Sequence, residues 1–371
     1  MSGGVDSSVA AALLKKQGYD VTGVFFKPWL SEDGRAFCNW QEDKRDAARV
    51  AAKLGIKFKM WDFSKEYGNK VTKYTINSYR HGITPNPDVM CNKEIKFGLF
   101  LKKALAEGAD FIATGHYARM QSHVAYKSDR FYKRQIELLR AKDLNKDQSY
   151  FLWTLTQKQL KHCLFPVGDY TKPQVRKLAK KFGLHTHAKK DSQGICFVGQ
   201  LDVKEFLKKY IKPKTGEIKL VSFYHDRDKM KPRQKIINGV DTRIIGHHDG
   251  VYYYTIGQRH GLDIKIGGGP YFVAGKNLKK NIIYVTTNEK KLAIDRAEVG
   301  KINWINQQPA LPAKAGVKIR YRGESIPAKI SKSAKPGVLI VKFKKSARAV
   351  TPGQSAVFYR GETVLGGGVI L

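Results

Sequence analysis

The chain has few cysteines and few acids, and no long apolar run. Its four cysteines, Cys38, Cys91, Cys163 and Cys196, are scattered through 371 residues. That excludes a disulfide scaffold, and no Cys-x-x-Cys pair of zinc type is present. No stretch approaches the 18 or so apolar residues of a membrane span, and no charged-then-apolar leader precedes the first motif. The cytoplasm, or an equivalent reducing compartment, is expected. Only 32 acidic residues face 68 lysines and arginines, a net charge of +36. A field of that sign attracts polyanions with strong salt dependence, although a lysine-rich source proteome would give the same total. Residues 301–371 hold 13 Lys+Arg and 2 Asp+Glu, so they are denser in positive charge than the whole.

What is present divides by texture. Ser7 to Gln17 repeats apolar residues at helical spacing and stops at Gly18. Val21–Phe26 then reads as a strand, Gln41–Leu54 as a helix, Lys57–Trp61 as a strand, Lys93–Glu107 as a helix and Phe111–Thr114 as a strand. Strands alternating with helices imply βαβ units, a parallel sheet and ligands at the strands' carboxyl ends. Past residue 200, short β-like segments take over: Val251–Ile256, Asn281–Thr286, Val317–Tyr321, Gly337–Phe343 and Ser355–Tyr359. Even spacing of this kind predicts small β-rich domains, the last of them a barrel. Glu217–Arg243 reads as a loop insertion; the glycine clusters 267–270 and 366–368 read as turns.

Ser2-Gly3-Gly4-Val5-Asp6-Ser7-Ser8 sits at the head of the first helix, where backbone N–H groups and hydroxyls stabilise an anion. A flexible capping segment would have similar composition, and the Gly-Lys-Ser/Thr ending of a P-loop is absent. The full string resembles the PP-loop of the ATP pyrophosphatases. Within that superfamily, Pro85-Asn86-Pro87-Asp88-Val89-Met90-Cys91-Asn92-Lys93 resembles the signature of the tRNA-specific 2-thiouridylases. So do Ala113–Tyr117, Lys146–Leu152, Asp191–Phe197, Tyr254–Leu262, Arg320–Arg322 and Pro352–Gln354. Together these segments span nearly the whole chain.

The resemblance implies an α/β PP-loop domain over 1–203, a small central β-rich domain over 204–290 and a C-terminal tRNA-binding β-barrel over 291–371. It implies ATP with Mg²⁺ held by Ser2, Gly3, Gly4, Val5, Asp6 and Ser7, helped by Phe26 and Gly115. Asn86, Pro87 and Asp88 would meet the target base, and His116, Lys146, Asp147, Gln148, Arg320, Tyr321 and Gln354 would touch tRNA. Cys91 would be the nucleophile or resolving thiol and Cys196 the persulfide carrier, with Asp88 moving a proton. The expected partners are the anticodon stem-loops of tRNAs for Lys, Glu and Gln and a cysteine desulfurase or sulfur-relay protein; the chain itself is expected to be a monomer. In that family a strand precedes the PP-loop, and here the loop begins one residue after Met1.

The chemistry suits those roles. A uracil C2 carbonyl is a poor electrophile, so adenylation must first make its oxygen a leaving group, after which a thiolate or persulfide displaces AMP. Cations such as Lys93 and Lys96 favour the thiolate. Taken without their flanks, two lone cysteines would be buried structural thiols; Cys38 and Cys163, which lack such flanks, are expected to be so. His116, His247, His248 and His260 lack further ligands at metal spacing and are expected at the surface or against RNA, so no metal site is expected. Two other readings stay open. A PP-loop ligase, such as argininosuccinate synthetase or the lysine-adding tRNA synthetase, would need no cysteines. A basic RNA-binding protein with a decayed nucleotide domain would show no tRNA-dependent ATP–pyrophosphate exchange.

Overall fold

The computed structural model describes residues 1–29, 39–126, 132–191, 202–221 and 242–371. The first helix, α1 (Val5–Lys16), buries Val9 and Leu13 on an alanine-rich face and gives way to Gly18 at φ +90°. Strand β1 (Thr22–Lys27) follows, then α2 (Trp40–Leu54), closed by Gly55 in the left-handed conformation, and β2 (Lys57–Asp62). β1 and β2 pair in parallel, and a Lys27–Asp62 ion pair of 2.9 Å joins their carboxyl ends. β3 (Ile112–Ala113) pairs in parallel with a strand farther on, Cys163–Leu164. Among the described residues the parallel strands up to residue 164 thus form two pairs rather than one continuous sheet. The terminal ammonium of Met1 donates to the Val24 carbonyl on β1. The helix expected over Lys93–Glu107 is found over 92–106, π-type as far as Phe100 and α-type beyond it.

Between them lies a hairpin that the sequence reading lacks, β4 (Ala118–Tyr126) and β5 (Tyr132–Arg140). β6 is the Cys163–Leu164 strand. The central sheet contains β7 (Gly216–Val221), β8 (Thr242–His248), β9 (Phe272–Asn277) and β10 (Ile282–Thr286), in the order β8-β7-β10-β9. Three expectations are corrected here. Residues 217–221 and 242–243 belong to strands rather than to a loop insertion, with 222–241 outside the described residues, and Val251–Tyr253 is a 3-10 turn. His248 is not at the surface: it is buried, its Nδ1 accepts from Gly250 N at 3.0 Å, and burial pulls its pKa down to about 4.

The rest is a barrel of β11 (Ala293–Trp304), β12 (Ala313–Lys318), β13 (Ile326–Lys332), β14 (Leu339–Arg348), β15 (Ser355–Arg360) and β16 (Thr363–Ile370). It closes because β11 pairs with both β14 and β16. Period-two alternation points Ala328, Ile330, Val341 and Phe343 inward and Lys329 and Lys342 outward. The barrel is fastened to the α/β region by β5, which pairs with β16 at Leu139↔Thr363, and by Tyr150 and Trp153, which donate to Ser355 O and Ser355 Oγ at 3.0 Å each. Gly366-Gly367-Gly368, expected as a turn, lies inside β16. A Cβ at Gly367 would sit 2.7 Å from Ala356 O and 3.0 Å from the Trp153 ring, so close packing explains its glycine. Replacing Gly367 with Ala should therefore cost about 1–3 kcal/mol of overpacking, read as a lower urea midpoint; an unchanged midpoint would contradict this account of the seam.

Candidate active site

At the head of α1, Gly4 occupies the N-cap with no side-chain hydrogen bond, so the first N–H groups of the helix are left to a ligand or to water. Two glycines shape this cradle. A Cβ on Gly3, at φ +74°, would lie 2.3 Å from Asp43 O, and one on Gly115 would lie 2.8 Å from Ser7 N. The 113–117 segment thus lies against the loop as closely as a backbone can. Ser2 and Ser7 hold the loop in shape: Ser2 N donates to Ser7 Oγ at 3.1 Å, and Ser7 Oγ to Gly4 O at 3.2 Å. Phe26, within β1, packs edge-on to Phe63 and Phe100, with centroids at 5.4 and 4.8 Å.

The carboxylate of Asp6 accepts from Tyr117 Oη at 2.8 Å and from Lys172 Nζ at 2.8 Å to both oxygens. Lys172 also pairs with Asp191 at 2.9 Å, and Asp191 takes Lys146 at 2.7 Å and Arg176 at 2.8 Å. Charges of alternating sign therefore lead from the loop to Asp191, five residues ahead of Cys196. Burial alone would raise the pKa of Asp191, but hydrogen bonds from Lys146 and Lys172 outweigh it and bring it down to about 2. A second brace sits alongside, where Lys189 pairs with Asp43 at 2.8 Å and His185 with Asp46 at 3.0 Å. Lys172 has no distinctive flanks in the sequence to mark it, and Asp191, although it opens the Asp191–Phe197 segment, carries its signal in the ion pairs it makes rather than in its neighbours.

Asn86 caps a short helix, Pro87–Cys91, by accepting from Val89 N at 3.2 Å. Cys91, where this turn runs on into the helical stretch 92–106, is fully buried. Three regions of the chain meet there. Gln354 Nε2 donates to the carbonyls of Thr84 at 3.1 Å and Pro85 at 2.9 Å, Thr84 N donates to Pro352 O at 3.1 Å, and the Thr84 hydroxyl meets that of Thr255 at 3.1 Å. Tyr321 packs on Phe151 with centroids 4.6 Å apart, and Arg320 donates to Ala349 O at 2.8 Å. Gln148 bonds the Tyr117 backbone twice, its own backbone N–H donating to the carbonyl at 2.8 Å and its side-chain Oε1 accepting from the N–H at 3.0 Å.

Two residues expected on an RNA surface lie inside instead. His116 is buried between Phe97 and Phe165, bonded to the Thr114 hydroxyl at 2.8 Å, and burial with nearby Lys96 holds its pKa well below 6.5. Asp147 is buried too, accepting from Ala141 N and Ser149 N and pairing with Lys318 of the barrel at 3.3 Å. Cys163 is structural as expected: its thiol donates to Gln159 O at 3.1 Å, and burial pushes its pKa up to about 12. Cys38 and Cys196 lie outside the described residues, as does the glycine-containing loop around Cys196. Among the described residues no group of three or more His, Cys, Asp or Glu could hold a metal ion, and no helix is long and apolar enough to cross a membrane.

A glycine-shaped cradle heading a buried helix, in a parallel α/β layer, marks an α/β enzyme of nucleotide-binding type, here carrying two β-rich additions. Residues 1–200 match the family model described as tRNA methyl transferase HUP domain, 204–287 the tRNA methyl transferase PRC-barrel domain and 295–370 the Aminomethyltransferase beta-barrel domain. The relatives include tRNA-specific 2-thiouridylase MnmA 2 of Geobacillus kaustophilus and MnmA of Geobacillus thermodenitrificans, each 45% identical over 373 residues, with all of this chain and 93% of the relative covered. MnmA of Bacillus cereus is 44% identical over the same span. The chain belongs to the tRNA-specific 2-thiouridylase family.

The depressed pKa of Asp191 fixes a pH dependence. Its contribution is present above pH about 3.8 and is lost as pH falls towards 2, because the unfolded state then binds the extra proton. At pH 7 it amounts to about 2 kcal/mol. Asp191→Asn should lower stability at pH 7 by that order and flatten the stability profile between pH 4 and 2; an unaltered acid profile would contradict the network.

Proposed function

We propose that the protein is an ATP-dependent tRNA-uridine 2-sulfurtransferase that thiolates the wobble uridine of the anticodon. The observation that carries this reading is the grip of Gln354 on the backbone that leads into Asn86 and the helix bearing Cys91, in a chain whose full-length relatives are 2-thiouridylases. ATP would lie on Ser2–Ser7, its phosphates facing the free N–H groups of α1 and its base end towards Phe26 and Gly115. Magnesium would enter with the nucleotide's phosphates. The wobble base, splayed from its loop, would settle beside Asn86, Pro87 and Asp88; a loop nucleotide is cheaper to displace than a paired one. Lys146, Gln148, Arg320, Tyr321 and Gln354 would hold the RNA, while His116 and Asp147 support that surface from within.

In the reaction, the uridine O2 attacks the α-phosphate of ATP and pyrophosphate leaves, making O2 a leaving group. Asp88 serves as the proton-transfer group beside the base. A donor protein, a cysteine desulfurase or sulfur relay, supplies a persulfide on Cys196. Cys91 attacks the inner sulfur, the S–S bond to the terminal sulfur breaks, and that sulfur attacks C2 and displaces AMP. The products are 2-thiouridine, AMP, pyrophosphate and a Cys91–Cys196 disulfide, which reductant resets. The ligase reading differs on one point, since it has no use for either thiol.

Cys91→Ala and Cys196→Ala should each abolish 2-thiouridine formation while tRNA-dependent pyrophosphate release continues. Non-reducing peptide mapping after a single turnover should find Cys91 joined to Cys196, with Cys38 and Cys163 reduced. Thiouridine accumulating with both thiols still reduced would overturn the relay, and full activity in either alanine variant would return the ligase reading.

A further inference from the structure

The outer wall of the barrel carries an arrangement that folding by itself disfavours. Arg296 on β11, Lys342 on β14, Lys329 on β13 and Lys314 on β12 stand directly opposite one another, through the pairs Arg296↔Lys342, Lys329↔Lys342 and Lys314↔Lys329. All four are exposed. Like charges at directly opposed positions destabilise a sheet. Lysines often guard a sheet edge against pairing with another chain, but these strands belong to a closed barrel and have no edge to guard. Among the described residues no carboxylate forms an ion pair with any of the four. Glu298, on the same face of β11 as Arg296, is taken by Lys335 at 2.8 Å.

Strand spacing sets the dimensions. At about 4.8 Å per strand, four cations in a row extend about 14 Å. One small anion would meet two of them, whereas a linear polyanion would meet all. Arg296, Lys329, Lys342 and the neighbouring Lys332 border an open groove of about 520 Å³, with Leu311 and Pro312 along it. It has no aromatic side chain to anchor a protein partner. The row ends on the same face of β12 as Lys318. The outer face of β12 is covered at Lys318, which pairs with Asp147, and open at Lys314, four residues or about 13 Å along the strand.

We propose that this cationic ladder is a docking strip for the phosphodiester backbone of the RNA substrate outside the anticodon loop. The proposal rests on the thiolation reading for the identity of the RNA, but not for the charge argument. The ladder adds affinity by counterion release and leaves the chemistry to the junction.

The test is the triple variant Lys314→Gln/Lys329→Gln/Lys342→Gln, beside a triple Lys→Arg control, in filter binding of unmodified tRNA across salt concentrations and in steady-state thiolation. The expected result is an affinity loss of at least about tenfold at physiological salt and a slope of log K against log salt shallower by about 2–3, roughly one per residue. KM for tRNA should rise with kcat at saturating tRNA retained, and the arginine control should match the wild type. The thermal midpoint of the glutamine variant should not fall, because repulsion has been removed. Unchanged affinity and slope would overturn the proposal. So would intact tRNA binding with slowed sulfur uptake from a donor protein, which would assign the strip to an acidic protein. If the wild type binds tRNA but forms no 2-thiouridine, the thiolation reading fails and the binding result still decides the ladder.

Discussion

The geometry of the site depends on the grip of Gln354 on the carbonyls of Thr84 and Pro85. Proline at 85 and at 87 limits the backbone on either side of Asn86, and proline at the start of the short helix suits its first turn. That helix runs without a break into the helical stretch 92–106, which carries its direction. The barrel fixes the segment that leads into its first turn. Gln354 follows Gly353, where a Cβ would stand 2.6 Å from Thr84 O, so the barrel loop approaches the 83–85 backbone at the closest possible distance. The central region adds Thr255, and the α/β region adds Tyr150 and Phe151. The segment that leads into the helix of Cys91 is thereby held from the barrel, 270 positions away at Gln354, and from the central region at Thr255.

The second constraint is electrostatic. With acids outnumbered two to one by bases, each buried or half-buried carboxylate near the loop is shared among cations, and Lys172 between Asp6 and Asp191 is the clearest case. Its side chain is only 10% exposed, so solvent screens it little. In the proposed reaction Asp6 belongs to the nucleotide cradle and Asp191 leads to the persulfide cysteine, so one ammonium group bears on both. The remaining positive charge is left at the surface, and on the barrel it is laid out in register.

Much of this was legible in the sequence because local chemistry fixed it. The Ser-Gly-Gly string at 2–4, the Asn-Pro-Asp segment and the alternation of strands with helices each carry their reason within a few residues. The family resemblance added the pairing of distant segments, and full-length relatives agree with it. What escaped was decided by long-range contact. The β4–β5 hairpin reads as unpatterned until β16 is beside it. Glycines 366–368 look like a turn because nothing in the sequence announces Trp153 and the Ala356 carbonyl beside them. His116 and Asp147 sit among residues of the right motifs, yet burial by Phe97 and Phe165 in one case and pairing with Lys318 in the other turn them inward. Lys172 offered no local signal at all.

The central claim is that this junction converts a wobble uridine to 2-thiouridine at the expense of ATP. Its most direct measurement is mass spectrometry of anticodon nucleosides after incubating unmodified tRNA with the protein, ATP, Mg²⁺ and a persulfide donor. The account predicts 2-thiouridine at the wobble position, with AMP and pyrophosphate formed alongside it and no product when ATP or the donor is omitted. Unmodified uridine under full conditions, with tRNA demonstrably bound, would contradict it.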